Sequence, residues 1–266
     1  MNLLKACKKG NVQRVKFLLE KDCNIETKGN TGWTPLIYSS CYGQFEVTKL
    51  LLENGANIEA KDNCGWTPLM FSSQYGHLDV AKLLIEKGAD IKARDVRGWT
   101  HLIISSHYGQ FEVTKLLLEN GADIKEKDDR GKNSLMISSQ YGHLDVTKLL
   151  IEKGADIEAR DNTGWTPLIL SSCYGRLDVT KLLLENGADI EAKDITGQTP
   201  LIISSRVGNR ESIKILLENG ADNEVEDSNG MKLDSYLEDS LKKEIYEFIQ
   251  DIQNRRNMVK PNKKGN

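Results

Sequence analysis

Apolar positions along this chain come in short bursts at helical spacing, and the bursts return every 33 residues, in phase with Gly32, Gly65, Gly98, Gly131, Gly164, Gly197 and Gly230. A period of that size is settled before any shorter motif is read. In the unit Lys61–Arg94, Thr67 offers a hydroxyl to cap a helix, and Pro68 occupies the first helical position, where its missing N–H costs nothing. Gly76, after Tyr75, closes that helix. The next stretch, HLDVAKLLIEKG, sets Leu78, Val80, Leu83 and Leu84 mainly three and four residues apart, which predicts an amphipathic helix ending at Gly88. The remainder, ADIKARDVRG, is poor in apolar residues and rich in turn formers, so it predicts an extended, hairpin-like loop. Each unit is loop, helix, turn, helix. Isolated helices below about 12–15 residues are marginal in water, so order has to come from stacking each pair against the next.

The order D-x-x-G-W-T-P-L, then YG-H-L-D-V, then LL-I-E-K-G-A-D-I resembles the ankyrin repeat, from Leu3 to about Asp227. The resemblance implies an all-α solenoid of stacked helix-turn-helix units, with hairpin-like loops projecting at right angles and a concave surface between them. It divides the chain into a capping repeat at 1–30, six repeats at 31–227, a capping helix region at 228–254 and a basic, disordered tail at 255–266. Leu237, Leu241, Ile245, Phe248 and Ile252 carry the amphipathic spacing of the second cap. The tail holds Arg255, Arg256, Lys260, Lys263 and Lys264.

Departures from the family pattern carry expectations of their own. The usual histidine after TPL is Ile37, Met70, Ile103, Met136, Ile169 or Ile202, so apolar packing replaces a hydrogen-bond network. The usual Ala-Ala is Ser-Ser, small enough for close helix approach, with hydroxyls able to bond back to the preceding turn. GWTHL at Gly98 and GKNSL at Gly131 lack the proline, which predicts the weakest units there, although Asn133 can still cap. The asparagine common near the end of the family's loop, a hydroxylation target in some members, is Glu26, Glu59, Lys92, Lys125, Glu158 or Glu191 here, so that modification is not implied.

Composition narrows the function. The chain has 266 residues, 28% of them charged, with a net charge of -3 and mixed signs throughout, which gives no broad field for nucleic acid. Apolar runs stop at four or five residues, far short of the roughly 20 that cross a bilayer. MNLLKACKKGN is broken by charge too soon for a secretory signal. Five widely spaced cysteines without a CxxC pair predict neither disulfides nor zinc, and they fit a reducing cytoplasm or nucleus. None of His77, His101, His107 and His143 has a ligand partner at helical spacing, and no hydrolase, P-loop or zincin motif occurs. The expectation is therefore no catalysis, no metal and no cofactor.

What remains is binding of an unidentified protein by a monomeric scaffold or adaptor, with a regulatory inhibitor that occludes an enzyme such as a kinase as the alternative. Trp33, Trp66, Trp99 and Trp165 follow the marker glycine, while Lys132 and Gln198 fill that slot elsewhere. By resemblance the slot faces the concave side, as do Tyr42, Tyr75, Tyr108, Tyr141 and Tyr174 before the helix-closing glycines. Such residues make good anchors for a partner. Tryptophan could equally pack across the neighbouring loop, and the two roles can coexist. A 66-residue duplication, visible in YGQFEVTKLLLENGA at Tyr42 and Tyr108, accounts for recurrence without selection at each place. Loop residues Arg97 and Arg130 lie in a locally basic stretch suited to an acidic partner segment.

Overall fold

The computed structural model describes residues 2–259, and among them fifteen α-helices and no strand occur, with one isolated bridge between Arg94 and Thr100. The first, inner helix of each pair is α1 (Leu3–Lys8), α3 (Pro35–Cys41), α5 (Pro68–Tyr75), α7 (His101–His107), α9 (Ser134–Tyr141), α11 (Pro167–Cys173) or α13 (Pro200–Arg206). Their outer partners are α2 (Val12–Leu19), α4 (Phe45–Glu53), α6 (Leu78–Glu86), α8 (Phe111–Glu119), α10 (Leu144–Glu152), α12 (Leu177–Glu185) and α14 (Arg210–Glu218), followed by α15 (Asp239–Val259). The chain forms two compact units, one of residues up to Ser138 with Asp145–Asp156, the other of Ser139–Leu144 with the chain from Ile157.

Within the first unit α1, α3, α5 and α7 pack in chain order, and α2, α4, α6 and α8 do the same beside them. In the second, α11 packs on α13, α12 on α14, and α14 on α15. One core layer fills the space between the rows, with Leu69, Val80, Leu84, Leu102, Val113 and Leu117 in one cluster. A second layer lies under the loops, where Ile37, Met70, Phe71 and Ile104 meet Trp66, with Trp33 and Trp99 at its edge. Ile37, Met70, Ile103, Met136, Ile169 and Ile202 are fully buried, as expected of the positions that replace the family's histidine.

Local chemistry starts and stops each inner helix. Thr34, Thr67, Thr100, Thr166 and Thr199 accept the third helical N–H at 3.3–3.4 Å, and Asn133 does so at 3.0 Å. The helix start after Gly98 lacks proline and has a histidine in its place. There His101 is fully buried; its Nδ1 lies 3.0 Å from the Ile91 carbonyl and its Nε2 3.2 Å from the Thr67 hydroxyl. A polar link between units therefore exists at one place where apolar packing alone was expected.

The paired serines behave unevenly. Ser39, Ser72 and Ser105 donate to the carbonyl three residues back, and Ser39 and Ser105 also accept from Thr48 and Thr114 of the outer helix at 2.9 Å. Ser204 has Ile213 where that threonine would stand, nine residues on, and its buried hydroxyl has no partner.

At the C-terminal end the helix reaches Val259, beyond the expected boundary at 255. Arg255 and Arg256 therefore lie on α15 rather than in a disordered tail, and an ion pair one turn apart, Asp251 with Arg255 at 2.9 Å, supports the extension. Lys260, Lys263 and Lys264 lie outside the described residues.

Candidate functional site

The tryptophan slot is built by an aspartate. In each loop Asp62, Asp95, Asp128, Asp161, Asp194 or Asp227 folds the turn by accepting, at one carboxylate oxygen, the N–H groups two and four residues on; for Asp95 these are Arg97 and Trp99, both at 2.8 Å. In Asp95, Asp194 and Asp227 the other oxygen meets the slot residue of the preceding repeat. Trp66 donates its indole N–H to Asp95 at 3.0 Å, Trp165 donates to Asp194 at 3.3 Å, and Gln198, in the same slot, reaches Asp227 at 3.4 Å. Trp66 is only 8% exposed and packs on Phe71, 5.1 Å between ring centres; Trp33 meets Phe71 at 4.6 Å. Trp33, Trp99 and Trp165 are half-buried. The row of indoles is thus fastened into the loop layer.

The tyrosines are placed differently. Tyr42, Tyr75, Tyr108, Tyr141 and Tyr174 each end or immediately follow an inner helix and are 40–50% exposed, with Val207 taking the same position after α13. In the first unit Lys8 sits 4.9 Å from the centre of the Tyr42 ring. The Tyr75 hydroxyl is pushed above its usual range by partial burial and by Cys41, Tyr108 and Tyr42 nearby.

Comparison with protein families agrees with the repeat pattern: a family model described as ankyrin repeats (3 copies) matches residues 2–62, 56–128, 92–161 and 135–227. The chain belongs to the ankyrin-repeat family. No curated protein matches it. Ankyrin repeats are a protein–protein interaction module, generally without catalysis, and here they span nearly all of the described residues. Among those residues no helix is long and apolar enough to cross a membrane, and no group of three His, Cys, Asp or Glu side chains could hold a metal ion. Burial pushes the Cys7 thiol up to about 12 and the Cys41 thiol up to about 11, so neither is a thiolate nucleophile near neutrality.

Three further side-chain links join consecutive ankyrin repeats, each of them reaching from one repeat to the next. In several repeats the residue before the outer helix donates to a carbonyl at the end of the preceding repeat's inner helix: His77 to Cys41 at 3.0 Å, Gln110 to Gln74 at 3.0 Å, Arg176 to Gln140 at 3.0 Å and Asn209 to Cys173 at 2.8 Å. Because His77 faces a carbonyl, its Nε2 carries the proton. The helix-closing glycine makes room for this residue. A Cβ on Gly43 would lie 2.6 Å from the His77 ring, in addition to the strain of φ +65°.

A second link uses the slot where the family has asparagine. Glu26, Glu59, Glu158 and Glu191 accept the backbone N–H of Asn57, Asp90, Asp189 and Asp222 at 2.7–2.8 Å. Lys92 and Lys125 have no acceptor to offer in that slot. The third link runs through the loop bases: Lys28 donates to the Lys61 carbonyl at 3.4 Å and Arg94 to the Lys127 carbonyl at 2.8 Å, and Arg160 binds the Lys193 carbonyl in the same way.

Charge in the loops is therefore largely committed to stacking. Arg94 also pairs with Glu126. Arg97, a candidate contact residue, donates to Asp95 at 3.0 and 3.2 Å while its guanidinium lies 4.4 Å from the Trp99 ring centre. Arg130 is exposed at the next loop tip. The structure thus separates the predicted site residues into a half-buried to buried indole row and an exposed tyrosine row. A signal for the division was present in the sequence: an aspartate stands at constant phase, 29 residues after each slot residue.

Proposed function

We propose that this chain is a non-catalytic adaptor that binds a partner protein through Tyr42, Tyr75 and Tyr108, at the ends of the inner helices of the first unit, together with the adjoining loop tips, Arg130 among them. One observation carries the reading: five tyrosines at equivalent positions stay 40–50% exposed, while the residues on their helices are mostly buried. Tyrosine supplies a large, stiff contact area with a polar tip, the chemistry of interface hot spots. The indoles act from behind as packing that stiffens the loops. The adaptor works as a monomer in a reducing compartment, the cytoplasm, where the free thiols Cys7, Cys23, Cys41 and Cys64 persist.

The test is affinity capture from cell extract with the full chain and with Tyr42→Ala/Tyr75→Ala/Tyr108→Ala, partners being identified by mass spectrometry. The expected result is loss of the dominant partner with the helical circular-dichroism signal unchanged. Retention of that partner at wild-type level would refute the tyrosine assignment.

A further inference from the structure

The outer helices of the first unit carry a feature that repeats with the 66-residue duplication. Phe111 at the start of α8 and Leu149 of α10 floor a groove of about 550 Å³, rimmed by Glu112, Asp145, Lys148 and Glu152. The same register 66 residues earlier gives a second groove of about 310 Å³ between α4 and α6, lined by Phe45, Asp79, Lys82, Leu83 and Glu86. Phe45 and Phe111 are 37% and 36% exposed, although they begin helices whose apolar side is otherwise turned inward. Three acids face one base in the larger groove, and two face one base in the smaller. None of these rim charges enters an ion pair among the described residues.

Glu218 of α14 stands 66 residues beyond Glu152, as Glu152 stands beyond Glu86. Glu218 lines a pocket of about 250 Å³ together with Ile252, Arg255 and Arg256 of α15. This pocket lies between α14 and the helix that follows it, whereas the Phe45 and Phe111 grooves each lie between an outer helix and the one before it; it shows an apolar residue and two arginines of a helix packed beside a carboxylate of this series, Arg255 being paired with Asp251 as well.

We propose that the Phe45 and Phe111 grooves are twin docking sites for an amphipathic helical segment of a partner protein, one bearing a leucine-sized apolar anchor flanked by lysine or arginine. The anchor covers the phenylalanine and the basic flank answers the acidic rim, so apolar burial supplies affinity while charge selects the segment. Two grooves in one chain let a partner with two such segments bind with raised avidity. The surface is separate from the tyrosine row, and this inference stands independently of it.

Isothermal titration calorimetry of the full chain tests the inference, using a peptide of leucine and lysine at amphipathic helical spacing and roughly three turns long. Two control peptides carry glutamate for lysine, or serine for leucine. The leucine–lysine peptide should saturate at two per chain, fall to one for Phe111→Ser, and lose binding in Phe45→Ser/Phe111→Ser. Affinity should weaken at least tenfold between about 0.05 and 0.5 M salt, as expected of exposed charges. Tyr42→Ala/Tyr75→Ala/Tyr108→Ala should still take two, which separates this surface from the adaptor face. The inference is overturned by no binding to the wild-type chain, by unchanged binding to the double phenylalanine variant, or by equal binding of either control peptide.

Discussion

The buried imidazole of His101 gives the chain an acid-sensitive joint whose size follows from its surroundings. His101 takes the first helical position of α7, where Pro35, Pro68, Pro167 and Pro200 stand in other repeats. Its ring is fully buried, with Nδ1 against the Ile91 carbonyl and Nε2 against the Thr67 hydroxyl. That pairing fits the neutral ring, with Nδ1–H donating and Nε2 accepting. Burial holds its pKa down to about 4, against a smaller upward pull from the Ile91 carbonyl and Asp90. An unfolded histidine titrates near 6.5, so as pH falls the unfolded chain takes up the proton first and the folded state loses ground. This contribution is complete above pH ~6.5, is lost progressively down to pH ~4, and levels off below, when the folded state also protonates. The loss amounts to about 2.5 kcal/mol by pH ~4.5.

The perturbation is His101→Pro, which removes the titrating group and keeps the helix start. At pH ~8 the variant should be less stable by about 1–2 kcal/mol, having lost two buried hydrogen bonds and gained a favourable first residue. At pH ~4.5 the gap should close or reverse. Urea melts followed by circular dichroism, taken as wild type minus variant at each pH, cancel the other titrating groups. A difference that stays flat between pH ~7 and ~4.5 would refute the reasoning, because the folded ring would then titrate at the unfolded value.

Two other substitutions probe the links between repeats. Lys92→Glu should supply the missing acceptor for the Asp123 N–H and, as a largely exposed contact, stabilise by about 0.5–1 kcal/mol; a calorimetric melting temperature that falls or does not move would show that the glutamate link contributes nothing. Trp66→Phe keeps most of the packing and removes one donor from an Asp95 oxygen that retains Arg97, so a loss of about 0.5–1.5 kcal/mol in urea unfolding is expected, with partner capture unchanged. Lost capture with unaltered stability would return the indole row to the binding face.

Much of this protein is legible one unit at a time, because the interactions that shape each helix pair are local. Threonine caps, the first-position prolines, the closing glycines and the spacing of Leu78, Val80, Leu83 and Leu84 all act within a few residues, so they specify helix, turn and helix from sequence. The surface position of the tyrosines came from the resemblance to ankyrin repeats, which assigned the tryptophans to the same face. What one unit cannot show is where a side chain goes once a second unit lies against it. The indole of Trp66 closes on an aspartate 29 residues away, Glu59 on a backbone N–H 31 away, and His77 on a carbonyl 36 away. A repeated residue offers the same donor or acceptor in every unit, and only the stacked structure decides whether the next unit meets it. Trp66 therefore becomes packing and Tyr75 remains surface. The extension of α15 through Arg255 and Arg256 has the same origin: without a repeat pattern to delimit it, the end of that helix was set by packing and by the Asp251 pair.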